Sequence, residues 1–219
     1  MKPAVLIHLK EKSVRLKSKN FKKLLGIPLY EIAFLKLKKL SKKFDIYVDS
    51  SSKFFLTKAL KYKFKIIERP LYLNKPESQG NELIRQCLKV VKNDIIIQYF
   101  VTNPFVSNKT VNKCATILKK NKRFDSITPV RSIFNRFWYK SREVNHKYNK
   151  LIGTQFMSPV QVESGIYCFR RESFIKNKSR IAKKNFFLEI SEVESFDIDT
   201  EIDFKIAEEI AKKELKKLL

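Results

Sequence analysis

Long apolar runs, glycine, histidine and arginine are the shortages of this chain, and each closes off an explanation. The longest apolar runs, such as Asp94 to Val101, stop far short of the roughly 20 residues that span a bilayer. The run inside Met1 to Lys10 is too short for a signal peptide, so a cytoplasmic protein with no membrane attachment is expected. Cys87, Cys114 and Cys168 are odd in number, scattered and without metal-ligand spacing, which reads as reduced core residues. His8 and His146 are the only histidines. His8 falls on a predicted strand, as a core or edge residue, and no partner for nucleophilic catalysis stands out. No internal repeat and no linker rich in Gly, Ser or Pro divides the 219 residues. One domain over 1–219 is expected, long enough to bury a sizeable core.

The formal charge is +25. Such a field attracts polyanions, nucleotides included, and speeds their encounter. A basic nucleic-acid-binding protein is therefore one reading. Against it, the excess is mostly lysine spread over nearly every segment, whereas specific readers of nucleic acid favour Arg. Abundant Lys, Ile, Phe and Asn beside only 4 Gly point to a compositional bias of the whole chain.

Hydrophobic patterning places strands at Ala4 to Leu9, Asp45 to Val48, Phe64 to Ile67, Asp94 to Phe100 and Val162 to Phe169. Helical patterns lie between them: one opened by Pro28, then Lys53 to Tyr62, Asn81 to Val91 and Asn108 to Lys119. Strands alternating with helices at this pitch imply βαβ units and a mainly parallel sheet, with ligands at the carboxyl ends of its strands. Arg131 to Pro159 is aromatic and basic and has no clear helical period. The last helix, Thr200 to Leu218, shows Ile202, Ile206 and Ile210 on one face, which predicts packing on the sheet through that face.

Two segments carry residues suited to chemistry. If Phe196 to Asp199 is extended, Asp197 and Asp199 project from one face. Two carboxylates so placed can hold a hard divalent cation, with phosphate oxygens completing its shell. The plain alternative is that Asp199 or Thr200 caps the helix that follows. The second segment is the loop Lys10 to Asn20 after the first strand. Cations there are placed to meet a triphosphate, and hydroxyl and amide groups can orient it. A solvated basic loop explains the same composition.

The run Asp197-Ile198-Asp199-Thr200-Glu201-Ile202-Asp203-Phe204, with Ala207-Glu208, resembles the DIDT-E-DF-AE motif that closes CMP-sialic acid synthetases and related cytidylyltransferases. The loop resembles that family's opening R-x-G-S-K-R-x-x-x-K-N. Lys10 stands for the first arginine, and Ser13, Arg15, Lys19 and Asn20 match. Glu11 and Lys12 replace small residues, and Val14 replaces a lysine. Tyr47 to Ser52 is similar to the VDTDS element, and Arg69-Pro70 with Ser78 to Asn81 to a stretch near the cytosine. A capped helix start explains Asn81 as well. Phe100 to Phe105 is similar to LQPTSPL, with Phe100 where a glutamine contacts sugar. Gln155 and the run Glu163 to Tyr167 resemble R-x-Q…N-G-A-x-Y, without the upstream arginine and with Ser164 for asparagine. The likeness runs in order from Ala4 to Glu208.

The resemblance implies a Rossmann-like α/β nucleotidyltransferase fold, helices on both faces of a mainly parallel sheet, and a dimerisation arm at 131–160 that gives a homodimer. It implies transfer of CMP from CTP to the anomeric hydroxyl of an acidic 2-keto-3-deoxy sugar, sialic acid-like, with release of pyrophosphate. In that scheme Lys10, Arg15 and Lys19 hold the leaving pyrophosphate, and Asp197 and Asp199 hold Mg²⁺; these five form the catalytic set. Lys12, Ser13, Asn20, Arg69, Ser78 and Asn81 join the cations in binding nucleotide. Thr102, Asn103, Gln155, Glu163 and Tyr167 face the sugar. Open alternatives are a nucleotidyltransferase for another sugar or nucleotide, and a non-catalytic member that still binds nucleotide.

Overall fold

The computed structural model describes residues 1–11, 13, 16–75 and 77–219. Lys12, Val14 and Arg15 of the basic loop lie outside these, as does Pro76. Strand β1 (Ala4–His8) is apolar up to His8 because both its faces are covered. Val5 and Ile7 enter one core, Ala4 and Leu6 the other. A tight hairpin of β2 (Lys23–Leu24) and β3 (Ile27–Pro28) turns at Gly26, whose φ of 80° suits a residue without Cβ. Helix α1 (Leu29–Lys38) starts directly behind Pro28. Then β4 (Asp45–Ser50), α2 (Lys53–Lys61), β5 (Lys65–Glu68), α3 (Gly80–Cys87), β6 (Ile95–Tyr99) and α4 (Asn108–Lys120) keep the expected alternation. The chain continues through β7 (Ser126–Ile133), a hairpin of β8 (Trp138–Tyr139) and β9 (Arg142–Glu143), β10 (Val160–Glu163) and β11 (Ile166–Arg170). Helix α5 (Arg171–Asn177), β12 (Asn185–Glu189) and α6 (Glu201–Leu218) complete it.

The eight-stranded sheet runs β10-β7-β11-β6-β1-β4-β5, with β12 also paired to β7. Strands β5, β4, β1 and β6 are mutually parallel, as are β7 and β12; β11 enters antiparallel between β6 and β7. The sheet is thus mainly parallel, with helices on both faces. On one face α1, α2 and α4 pack Phe34, Phe55 and Val111, all fully buried. On the other, α3 and α5 contribute Ile84, Cys87 and Phe174. Each such side chain adds roughly 1.5–3 kcal/mol from the apolar surface it withdraws from water. The three cysteines are free and buried. No described helix is long and apolar enough to cross a membrane.

The strand expected over Val162 to Phe169 is two strands, β10 and β11, parted at Ser164 and Gly165, and there are further departures from expectation. Strands β7 and β12 were hidden by polar residues such as Ser126, Thr128 and Asn185, which bond one another inside: the Ser126 hydroxyl donates to Asn185 Oδ1 at 2.7 Å. Helix α6 packs through the wrong-seeming face. Ile202 and Ile206 are 69% and 45% exposed, while Phe204, Ala207, Ala211 and Leu215 are buried. Alanine at two of these positions lets α6 approach closely, and its partners are Leu24, Leu29, Ile32 and Ile198 rather than strands of the eight-stranded sheet.

Candidate active site

The carboxyl ends of β1, β4 and β6 gather the residues of interest. The loop leaving β1 is closed by Asn20, buried, whose Nδ2 donates to the Lys10 carbonyl at 2.7 Å. Next to it, Lys19 to Phe21 form a single 3-10 turn entered through Ser18 at φ 52°. Phe21 pins this turn by stacking on Phe55, ring centroids 5.0 Å apart. The turn is thereby fixed to the core, and Lys19 projects from it. Its Nζ donates to the Ile198 carbonyl and to Asp199 Oδ1, each at 2.8 Å. Lys22 adds a second link, with Nζ 2.8 Å from Glu201 Oε2 and 4.7 Å above the Phe204 ring. The amino-terminal cationic loop and the carboxy-terminal acids, far apart in sequence, share one place.

The acid segment is held from behind as well. Ile198 is buried and its amide donates to the Thr102 carbonyl at 2.9 Å. The Asn103 side chain, fully buried, donates through Nδ2 to the Phe196 carbonyl at 3.1 Å. Gly165 makes room for it: a Cβ there would overlap the Asn103 amide. The plain alternative for this segment is met at Thr200, which caps α6. Its Oγ1 accepts from the Asp203 amide, and Asp203 Oδ2 accepts from the amides of Thr200 and Asp199 at 2.8 and 3.0 Å. Burial alone would raise the Asp203 carboxyl, but these bonds hold it below the ordinary range. Asp197 is left exposed and Asp199 half-buried.

Beneath the loop that carries Thr102 and Asn103 sits a lysine that sequence reading missed. Lys36 of α1 is completely buried; its Nζ donates to the carbonyls of Pro104, at 2.5 Å, and Val106. Burial pulls its pKa down to about 7. Lys36 sits beside Lys38 and Lys39, and nothing in the sequence sets it apart from them.

Other expected residues have different surroundings. Arg69 is turned inward: Nε and Nη2 reach Asp49 Oδ2 at 2.8 and 2.5 Å, and both side chains are almost fully buried. Their side chains are 2% and 1% exposed, so the pair lies in the core. His8 Nδ1 meets the same Asp49 oxygen at 2.8 Å, so this histidine does have an acidic partner. Burial opposes the Asp49 charge, but His8 and Arg69 outweigh it and hold the carboxyl below its usual range. The parallel register that sets His8 beside Asp49 was the signal available. Asn81 does not cap α3. Gln79 does, its amide donating to Glu82 Oε2 at 2.9 Å, while Asn81 Oδ1 accepts from the Arg180 amide at 3.4 Å. Ser78 is half-buried just ahead of that turn, and Ser13 half-buried in the basic loop. Lys10 lines a small cleft of about 360 Å³ with Glu11, Ser51, Ser52, Lys53 and Asn74. Lys12 and Arg15 lie outside the described residues.

At the β6–β11 side, the Tyr167 hydroxyl donates to Glu163 Oε2 at 2.5 Å, and burial followed by that bond pushes its pKa up to about 12. Arg180, also missed, lies with its guanidinium carbon 3.8 Å from the Tyr167 ring centre. Gln155 is carried by a 3-10 turn, Thr154–Phe156, in the arm. Among the described residues no hydrogen bond joins Gln155 to the other candidates.

Asp197 and Asp199 offer the oxygen donors that Mg²⁺ prefers. A second group, His8, Asp49 and Cys87, has donor atoms within 4.8 Å of one another. Its chemistry does not suit a cation: Arg69 already occupies Asp49, and burial raises the Cys87 thiol well above its usual pKa.

The fold recurs in solved structures. CMP:2-keto-3-deoxy-manno-octonic acid synthetase complexed with CTP superposes with a TM-score of 0.73 at 13% identity, covering 98% of this chain and 100% of that one. The 4-diphosphocytidyl-2C-methyl-D-erythritol synthase of Anaerococcus prevotii DSM 20548 gives 0.71 at 11% identity, covering 97% and 99%. Bifunctional IspDF from Campylobacter jejuni gives 0.70 at 16%, covering 94% of this chain and 54% of that one. No curated protein matches by sequence. A family model described as cytidylyltransferase matches residues 4–219. With that match over nearly its whole length, the chain belongs to the cytidylyltransferase family and is a nucleotidyltransferase enzyme.

Proposed function

We propose that the enzyme transfers CMP from CTP to the anomeric hydroxyl of an acidic 2-keto-3-deoxy sugar. The sugar oxygen forms a bond to the α-phosphorus as the bond from that phosphorus to the bridging oxygen breaks. Pyrophosphate departs with the bond's electrons, and the hydroxyl proton passes to water. The observation that supports this best is Lys19 joined to Asp199 and to the Ile198 carbonyl. It sets the Lys19 ammonium against the acids at the strand ends where such sheets bind ligands, which supports a role for it in holding the leaving phosphates. Lys10 and Lys19 hold the phosphates, Asn20 shapes the loop, and Tyr167 and Glu163 border the acceptor. Asp197 and Asp199 would hold Mg²⁺, which when bound supplies charge neutralisation at the phosphates. The named substrate of one similar structure, an octonic acid, supports the acidic acceptor.

The arm supports a homodimer. Its Asn145 knits it together, bonding the Phe137 amide and the Asn135 and Ser158 carbonyls. Yet Trp138, Tyr139, Tyr148 and Phe156 are 54–77% exposed, an apolar display that a second copy would cover. Light scattering behind a sizing column should give twice the monomer mass of 25.9 kDa. The reaction is tested by pyrophosphate release from CTP and Mg²⁺ with a panel of acidic and neutral sugars. Turnover confined to neutral polyols would favour the second reading, supported by the methylerythritol named for another similar structure.

A further inference from the structure

We propose that Arg180 is the receptor for the acceptor's carboxylate, a specificity-determining residue built where β6, β11 and the start of α3 meet. This deepens the acidic-sugar reading and rests on it. The side chain is elaborately placed. Its Nη1 donates to Gln98 Oε1 at 2.9 Å, and Gln98 is 1% exposed on β6. The guanidinium lies 3.8 Å from the centre of the Tyr167 ring and 5.8 Å from that of Phe100. Its own amide is tied to Asn81 at 3.4 Å. A Cβ on Gly80 would overlap Nη1, so the guanidinium end would have to move.

These partners are neutral. Gln98 offers a carbonyl oxygen, and the two rings offer π faces, which hold a cation without cancelling its charge. Among the described residues no carboxylate stands within ion-pair distance of Arg180, and the nearby Glu163 gives its Oε2 to the Tyr167 hydroxyl. Elsewhere this protein does neutralise a buried arginine, setting Arg69 on Asp49 at 2.5 Å. A half-buried guanidinium left with neutral partners beside Tyr167 is suited to an anion that arrives with the ligand. Its planar fork can take a carboxylate through two parallel bonds. Position agrees. The Phe100 amide donates to the Gly165 carbonyl at 3.1 Å, and Gly165 in turn makes room for Asn103, which carries the acid segment. Contacts therefore run from Arg180 through Phe100, Gly165 and Asn103 to the acid segment.

The test pairs Arg180→Gln and Arg180→Lys with two acceptors: the best acidic sugar of the panel, and the same sugar with its carboxylate converted to the amide. Wild type should prefer the acid. Arg180→Gln should raise KM for the acid roughly 10- to 100-fold, the loss expected of a charge-assisted bond, and leave KM for the amide and for CTP within about twofold. Arg180→Lys should recover part of the preference for the acid. A Gln variant that still separates acid from amide as wild type does would overturn the assignment. So would a rise in KM for CTP with the acid preference intact, which would put Arg180 on a nucleotide phosphate instead. If wild type itself is indifferent to the carboxylate, or turns over neither acceptor, the acidic-sugar reading falls first. Should Arg180→Gln lose its fold by circular dichroism, Arg180→Lys alone decides, since ring packing would survive only partly while the charge remains.

Discussion

Lys36→Met makes the sharpest test of how the acid segment is supported. Burial brings the lysine's pKa from 10.5 to about 7. Carrying the ammonium inside therefore costs about 5 kcal/mol, at roughly 1.4 kcal/mol per unit. The sign follows from which state keeps the proton. Below pH 7 both folded and unfolded chains hold it, and the folded state bears the full penalty. Between 7 and 10.5 the folded chain sheds a proton that the unfolded chain retains, so stability rises with pH; above 10.5 the penalty is gone. Methionine matches the side chain's shape and removes that penalty. It also strips the donors from the Pro104 and Val106 carbonyls, at about 1–3 kcal/mol each. At pH 7 the two effects nearly cancel, so a single measurement decides nothing. The slope decides. Urea unfolding of both proteins at pH 6, 7, 8, 9 and 10 should show wild type gaining on the variant by about 3–4 kcal/mol between pH 7 and 10, and by well under about 1 kcal/mol between 6 and 7. Subtracting the variant removes the cysteines and tyrosines that also titrate there. A difference constant to within about 1 kcal/mol from pH 7 to 10 would refute a depressed lysine.

Asp199→Asn keeps the shape of the side chain while removing the charge facing Lys19, and should cut pyrophosphate release on the order of a thousandfold with an unchanged melting curve. Normal turnover in that variant would exclude a metal role for Asp199. Asp49→Ala strands Arg69 in the core and should destabilise by about 3–5 kcal/mol in urea unfolding. Because the fold holds the Asp49 carboxyl below 3.8, its stabilisation is complete above that pH and fades as acid protonates it, so wild type and the alanine variant should converge in strong acid. Gly165→Ala forces the Asn103 amide off the Phe196 carbonyl. It should lower kcat at least tenfold by loosening the acids, read against a near-native circular dichroism spectrum.

The central strands were legible because burial on two faces demands continuous apolar runs, as in Val5, Leu6 and Ile7. Strand β12, reading Asn-Phe-Phe-Leu-Glu, has one face that meets solvent, with Phe187 half exposed, and its polar ends blurred it into loop. The error on α6 has a different origin. Hydrophobicity favours Ile202 and Ile206 over Ala207 and Ala211, yet close packing selects the smaller residue where a helix must approach another. The DIDT segment was readable as a motif, whereas its supports were not. Thr102 and Asn103 matched family positions, but nothing linear says that one offers its carbonyl to Ile198 and the other its amide to Phe196.

That distinction bears on how the site tolerates its altered loop. Glu11 and Lys12 stand where small residues let backbone approach phosphate, and Glu11 instead accepts a hydrogen bond from the Ser52 hydroxyl at the start of α2. The loop is consequently anchored by side chains: Glu11 on Ser52, Asn20 on the Lys10 carbonyl, Phe21 on Phe55. Anchors of this kind fix the ends of the loop, at Lys10 and at Lys19, while the acids are fixed independently through Thr102, Asn103 and Lys36. Two separately braced elements then meet through Lys19, 2.8 Å from Asp199, and Lys22, 2.8 Å from Glu201. On the proposed mechanism, catalysis by positioning requires that the cation and the acids keep their separation when triphosphate arrives, and bracing each from the core would serve that without glycine. Weakening either brace should therefore reduce turnover more than it reduces CTP affinity, since binding tolerates small displacements that in-line attack does not.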